Sequence, residues 1–263
     1  MSEEFRRGAT KSTAAILFDK DGTLFDFRRT WLPILFERAE SVAGGDEALA
    51  TQLVKAAGYN PDTDRFCADG PIAAGNATDL ARAWQEVLSE ARQRRGAPSG
   101  GSRPNERSVP TEGELIAEMD RKSHETGAVS SVPVTDLREL FSTLHEAGIA
   151  LGVATSDTTR AARDVLERHE VLELVTYVAG YDGPAGKKPA PEVAKAFYEP
   201  LGLPASRVMI VGDTWHDLTM ARSCGCVAVA VLTGAVERED LVPYADIVLE
   251  SIAELPVLLG LVE

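Results

Sequence analysis

The chain has little cysteine, a deficit of basic charge and no long apolar run. Its three cysteines, Cys67, Cys224 and Cys226, are spread over 263 residues. The number is odd and too small for a disulfide framework. Cys224-Gly225-Cys226 has no second cluster to complete a zinc site and reads instead as small residues beside a strand. Lysine and arginine number 27 against 41 acidic residues, a net charge of −14. That balance argues against a general nucleic-acid or anionic-membrane surface. It leaves room for an anionic substrate, because a local metal and a few basic groups can reverse the field inside a pocket. No apolar run approaches membrane-spanning length. The opening residues, MSEEFRRGATKS, are polar and lack the apolar core of a signal peptide, so a cytoplasmic protein is expected. The remainder is ordinary for a globular protein, 44% hydrophobic and 26% charged. The length suffices for one substantial core with a smaller insert.

The most informative stretch is AAILFDKDGTL, Ala14–Leu24. A short apolar run bounded by a glycine turn reads as a buried strand of a parallel sheet. It ends in Asp19-Lys20-Asp21-Gly22. In open α/β sheets chemistry gathers at the carboxyl ends of strands. The i, i+2 spacing puts both carboxylates on one side if strand geometry continues briefly, and Gly22 permits the turn that follows. Two anions this close need a shared proton or a cation such as Mg²⁺. One carboxylate can attack a phosphoryl group. Its neighbour can protonate the leaving alcohol and then deprotonate water. The competing reading is a solvated Asp-rich turn.

The chain then changes character. Met1–Thr13 reads as a loose tail. From Thr30, as N-cap with Pro33 in the first turn, a helix carries Trp31, Ile34, Leu35, Phe36, Ala39 and Val42. Further helices are expected over Asp46–Ala57, Thr78–Arg94 and Glu114–His124, and their apolar stripes read as packing surface. Gly96–Gly113 is rich in Gly, Pro and Ser and reads as a flexible segment. After Pro133 helix and strand alternate. A helix capped by Thr135 runs to about Ala147, then a strand over Ile149–Ala154 and a helix over Thr158–His169. Thr176–Ala179 (strand), Ala190–Leu201 (helix), Val208–Val211 (strand), Leu218–Cys224 (helix), Val227–Leu232 (strand) and Ser251–Leu259 (helix) follow. Repeated βα units predict a doubly wound parallel sheet with helices on both faces. The helical block interrupts that alternation, so residues 27–132 are expected to form an inserted helical domain and residues 1–26 with 133–263 the α/β core.

Three further polar sites lie at or near strand ends. Thr155-Ser156 leads into a helix and suits a phosphate, or is an ordinary N-cap. Lys187-Lys188-Pro189-Ala190-Pro191 precedes a helix, where a lysine could neutralise a phosphate or remain in a solvated loop. Gly212-Asp213-Thr214-Trp215-His216-Asp217 supplies two carboxylates at i, i+4. Asp213 is a good oxygen ligand for Mg²⁺, or part of an acidic helix start favoured by the helix dipole.

Taken in order, DKDGTL, Thr155-Ser156, Lys188-Pro189-Ala190-Pro191 and GDTWHD resemble the motifs of the haloacid-dehalogenase-like hydrolase superfamily. The match is narrower to its phosphoglycolate-phosphatase-like branch, with a helical cap inserted after the first motif. The resemblance implies a Rossmann-like core. It implies that Asp19 is a nucleophile that becomes phosphorylated and Asp21 the general acid/base. Mg²⁺ would be bound by the Asp19 carboxylate, the Asp21 backbone carbonyl and Asp213, with Asp217 binding directly or through water. Thr155 and the Ser156 backbone would hold phosphoryl oxygens, and Lys188, rather than Lys187, would balance charge. The presence of Asp21 looks like a phosphatase or mutase rather than a dehalogenase. The expected activity is Mg²⁺-dependent hydrolysis of a small phosphorylated metabolite, with 2-phosphoglycolate the leading candidate. A sugar-phosphate phosphatase, a phosphomutase or a non-catalytic binding protein are the alternatives. Arg28 and Arg29 could meet a substrate carboxylate, although a solvated basic face is the commoner role. His216 is left without a role, and nothing in the sequence sets an oligomeric state.

Overall fold

The computed structural model describes residues 12–73, 75, 77–94, 110–122 and 131–262. Its strands are β1 (Ala15–Phe18), β2 (Tyr59–Asn60), β3 (Arg65–Phe66), β4 (Ala150–Ala154), β5 (Tyr177–Ala179), β6 (Val208–Gly212), β7 (Val227–Val231) and β8 (Ile247–Leu249). Six of them form one sheet in the order β5-β4-β1-β6-β7-β8, with every neighbouring pair parallel. β1 is central and fully buried. Alternate side chains enter opposite layers, which is why its sequence is apolar without a break. Ile16 and Phe18 join one core, and Ala15 and Leu17 the other.

The first layer is closed by α5 (Leu137–Glu146) and α6 (Thr159–Arg168). Phe141 of α5 stacks on Phe18 with ring centroids 5.3 Å apart. The second layer is closed by α7 (Pro191–Tyr198), α8 (Trp215–Cys224) and the short α9 (Arg238–Leu241). The expected final helix over Ser251–Leu259 is a 3₁₀ turn at Ile252–Glu254 followed by the short α10 (Leu255–Leu258).

Between β1 and α5 the described residues form four helices, α1 (Phe27–Ala43), α2 (Glu47–Ala56), α3 (Ala77–Arg94) and α4 (Glu112–Lys122), besides the small β2–β3 ribbon. These helices share a separate hydrophobic cluster that includes Leu35, Leu53, Leu80, Trp84 and Leu115. The indole of Trp84 donates to the Leu53 carbonyl at 2.9 Å. The two chain crossings that join this block to the sheet pair with each other. Asp26 N–H donates to the Val132 carbonyl at 2.8 Å, and Val134 N–H to the Leu24 carbonyl at 3.1 Å.

Several boundaries differ from the sequence expectation. α1 begins at Phe27 with Asp26 as its cap, accepting from Arg29 N–H at 2.8 Å. Thr30 lies inside the helix and its hydroxyl oxygen accepts from Val132 N–H instead, so Pro33 is interior. α5 is capped by Asp136 rather than Thr135. α8 starts at Trp215, three residues earlier than expected, which brings Asp217 into its first turn. β8 and the β2–β3 ribbon were not anticipated; two or three residues are too few to carry a period. The tail Met1–Lys11 and most of Gly96–Gly113 lie outside the described residues. Among the described residues no helix is long and apolar enough to cross a membrane.

Phe141 is fully buried against the central strand. Phe141→Ala should therefore cost about 3–5 kcal/mol of unfolding free energy. Val257→Ala, at a side chain 60% exposed, should stay within roughly 0.5 kcal/mol. Urea denaturation of both variants checks the pair.

Candidate active site

Parallel register brings the ends of β4, β1 and β6 to one level: Phe18 pairs with Val153 on one side and Val211 on the other. Asp19 follows β1 directly and is anchored by its N–H on the Val211 carbonyl at 2.8 Å. Thr155 follows β4, its N–H on the Ala179 carbonyl at 2.9 Å, and Asp213 follows β6. Asp19, Thr155, Asp213 and Asp217 are all buried. Two glycines allow the carboxylates to approach. A Cβ at Gly22, whose φ is +83°, or at Gly234 would run into the Asp213 carboxylate.

Lys188 crosses to this cluster from the loop before α7. Its Nζ donates to Asp19 Oδ1 at 2.5 Å and to Asp217 Oδ1 at 2.8 Å. Asp217 Oδ2 accepts from the Thr214 hydroxyl at 2.7 Å. Lys187 is exposed. Burial pushes the Asp19 carboxyl up to about 6, with Lys188 opposing and the Asp217 charge adding to the rise. Burial also raises Asp213 well above the usual carboxylate range, reinforced by the charges of Asp19 and Asp217. Burial alone would lower the Lys188 ammonium, but the two facing carboxylates outweigh it and hold it protonated.

A cavity of about 100 Å³ opens on these groups. Asp19, Asp21, Thr155, Ser156 and Lys188 line it, together with Asp157, Thr214 and His216. The ring of His216 stacks on Trp215 at 3.8 Å. Of the seven residues given catalytic, phosphate or metal roles from the sequence, five line this cavity; Asp213 and Asp217 do not, but each has an oxygen within 4.8 Å of one on Asp19. Arg28 does not line it. Its guanidinium binds the Asp64 side chain and carbonyl at 2.7 and 2.8 Å. Arg29 is exposed and is also absent from the lining.

Sequence reasoning missed two participants. Lys20, only 2% exposed, puts its Nζ 2.6 Å from Asp21 Oδ2 and 3.5 Å from Asp157 Oδ2. Burial would lower this ammonium, yet the charges of Asp21 and Asp157 raise it overall. Asp157 is raised by burial against the pull of Lys20. A buried lysine between two aspartates is the available signal: such a group must have a partner. The second participant is Arg38, a buried arginine on the cavity side of α1. Its place in the helical apolar stripe of Trp31, Ile34 and Leu35 was the clue.

Asp19, Asp213 and Asp217 each offer an oxygen within 4.8 Å of the others, and Asp213 Oδ2 is buried with no hydrogen-bond partner among the described residues. One lysine does not neutralise three carboxylates. An all-oxygen set with an unsatisfied acceptor fits a hard divalent cation such as Mg²⁺, which would be held by Asp19 and Asp213 with Asp217 alongside.

A family model described as haloacid dehalogenase-like hydrolase matches residues 13–225. The chain is 30% identical over 118 residues to a phosphoglycolate phosphatase of Aliivibrio fischeri, an alignment covering 45% of this chain and about half, 52%, of that relative. It is 27% identical over 243 residues to an N-acetylmuramic acid 6-phosphate phosphatase of Pseudomonas aeruginosa, with 92% of each chain covered. The crystal structure of a predicted phosphoglycolate phosphatase from Haemophilus somnus superposes with a TM-score of 0.66 at 18% identity, covering 92% of this chain and 96% of that one. The last of these establishes the shared fold.

The raised carboxyls set the sign of a pH effect. The native state holds protons on Asp19 more tightly than the unfolded chain does, so its contribution to stability falls as pH rises from about 4 to 6. A divalent cation bound by these carboxylates would compete with those protons and restore stability above that window. Mg²⁺ at about 100 times its Kd should raise Tm by roughly 5–10 °C at pH 7.5 and by clearly less at pH 5, and Asp213→Asn should remove most of the shift. Scanning calorimetry with Mg²⁺ and with chelator at both pH values checks this; equal shifts at the two pH values would contradict it.

Proposed function

The chain belongs to the haloacid dehalogenase-like hydrolase family, and from that premise we propose that it is a phosphoric monoester hydrolase using Asp19 as nucleophile and Mg²⁺ as cofactor. The observation that carries the reading is a buried carboxylate at the end of the central strand. Lys188 holds it at 2.5 Å, a second carboxylate follows two residues later, and a third, Asp213, stands beside it with an unsatisfied oxygen.

An Asp19 oxygen forms a bond to phosphorus as the bond from phosphorus to the ester oxygen breaks. Asp21 delivers its proton to the departing alkoxide. Lys20 holds Asp21 Oδ2, and Oδ1, which has no hydrogen-bond partner among the described residues, is the oxygen that carries that proton. Asp21, now ionised, takes a proton from water. The hydroxide attacks the aspartyl-phosphate, and phosphate leaves as the Asp19 carboxylate is restored. The Thr155 hydroxyl and the Ser156 N–H bind phosphoryl oxygens, and Lys188 offsets the negative charge of nucleophile and phosphate. The cation, when bound, supplies further positive charge that lowers repulsion between the two anions. Phosphoryl transfer needs mainly this positioning and electrostatic stabilisation.

Residues 27–132 act as the cap, with the paired crossings at Leu24–Asp26 and Val132–Val134 as its stem. The cap shields the reaction from bulk water and selects the leaving group. The substrate is a small phosphorylated metabolite and 2-phosphoglycolate is the first candidate. The Pseudomonas relative, aligned over nearly its whole length, supports a sugar-phosphate as the second reading.

Phosphate release should be measured from 2-phosphoglycolate, sugar phosphates and nucleotides. Activity should vanish with chelator and return with Mg²⁺. Asp19→Asn should lower kcat by roughly 10³-fold or more. Conversion of a sugar phosphate to its isomer without phosphate release would point to a mutase and overturn the hydrolase reading.

A further inference from the structure

Lys20 is buried and does not line the cavity, while three residues around its ammonium do: Asp21, Asp157 and Trp31. The Nζ lies 2.6 Å from Asp21 Oδ2 and 3.5 Å from Asp157 Oδ2. It also stands 5.9 Å from the centre of the Trp31 ring, within reach of a cation–π contact. The backbone beneath it is fixed, because the Lys20 carbonyl accepts from Leu24 N–H at 2.9 Å and from Phe25 N–H at 3.1 Å. Asp157 is fixed as firmly. Its Oδ1 accepts from Thr158 N–H at 2.8 Å, its own N–H donates to Thr155 Oγ1 at 3.1 Å, and its carbonyl accepts from Tyr181 N–H at 3.0 Å.

A buried ion pair is a weak source of stability, and apolar residues of similar volume often serve as well. What the ammonium adds here is direction. The last torsion of an aspartate is broad and roughly two-fold, so a carboxyl without a partner has no preferred oxygen and no sharp orientation. An ammonium on Oδ2 removes that freedom and distinguishes Oδ1, which has no hydrogen-bond partner among the described residues. A general acid works only within hydrogen-bond reach of the atom that it protonates, and a misplacement of about 1 Å can cost about 10²-fold in rate. Lys188 is engaged elsewhere, between Asp19 and Asp217. We propose that Lys20 and Asp157 are positioning residues for Asp21: Asp157 fixes the Lys20 ammonium, and Lys20 aims the carboxyl that protonates the departing oxygen. The proposal rests on the phosphatase reading of the same site and deepens it.

The test compares kcat/KM, which reports phosphoryl transfer to Asp19, for two aryl esters and 2-phosphoglycolate with the full-length protein. Phenyl phosphate has a leaving group that needs the proton. 2,4-Dinitrophenyl phosphate has one that departs without it. Lys20→Met should slow phenyl phosphate by about 10²-fold and the dinitrophenyl ester by less than about threefold. Asp157→Asn should show the same selectivity at about tenfold. Added to Asp21→Asn, Lys20→Met should cost less than about threefold more on phenyl phosphate and on 2-phosphoglycolate, because residues that act through one group are not additive. Equal losses on the two aryl esters, or a Lys20→Met loss that persists in full beside Asp21→Asn, would mark a merely structural lysine and overturn the proposal. So would an Asp157→Asn protein that is folded by circular dichroism and turns over both aryl esters at wild-type rates, a result that decides the matter even if Lys20→Met does not fold. Asp19-dependent release without these selective losses would leave the phosphatase reading standing. Absence of Asp19-dependent release from all three esters would overturn both.

Discussion

Three carboxylates buried within 4.8 Å of one another are the constraint around which the rest of this molecule is arranged. Carboxylates removed from water cannot remain ionised together without a counter-charge. Lys188 provides part of it, bridging Asp19 and Asp217. The Thr214 hydroxyl satisfies another oxygen of Asp217, while Asp213 Oδ2 has no hydrogen-bond partner among the described residues and is open to a proton or a cation. A group poised this way is held in place before any substrate arrives. That is the condition under which fixed charges act on a transferring phosphoryl group without reorganisation.

Such a cluster has to be supported by something that does not yield. The sheet supplies it. β1 is apolar on both faces and buried between two layers of helices, and its parallel register with β4 and β6 ends three strands at one height. The close glycines at positions 22 and 234 then let backbone come within contact of the Asp213 carboxylate. The stability of the core and the precision of the site thus have the same origin. A disturbance of the packing beneath β1 displaces the carboxylates as well as weakening the fold.

The helical block follows a different logic. Its own cluster around Trp84 stabilises it apart from the sheet. One face of α1 nevertheless turns partly away from that cluster and lines the cavity. Leu35 belongs to both surfaces, while Trp31 and Arg38 carry polar groups to the cavity. The buried carboxylates therefore come from the ends of the sheet strands and much of the apolar lining from the helices.

The alternation of helix and strand, the acidic strand ends and the inserted helical block could all be read from the sequence, because periodicity, glycine turns and apolar runs are local properties. So could the pairing of Asp19 with Asp21, two residues apart. The same local reading erred where two neighbouring residues cap equally well. Asp26 and Asp136 took the roles assigned to Thr30 and Thr135; the Thr30 hydroxyl accepts instead from Val132 N–H, far away in the chain. The family resemblance singled out Lys188 over Lys187, but only the tertiary structure shows its contact with Asp19 across 169 residues, that Lys20 is held between Asp21 and Asp157, and that Arg38 rather than Arg28 lines the cavity. Those outcomes depend on how parallel strands register and how a separate helical unit lies over their ends, and no spacing along the chain encodes them.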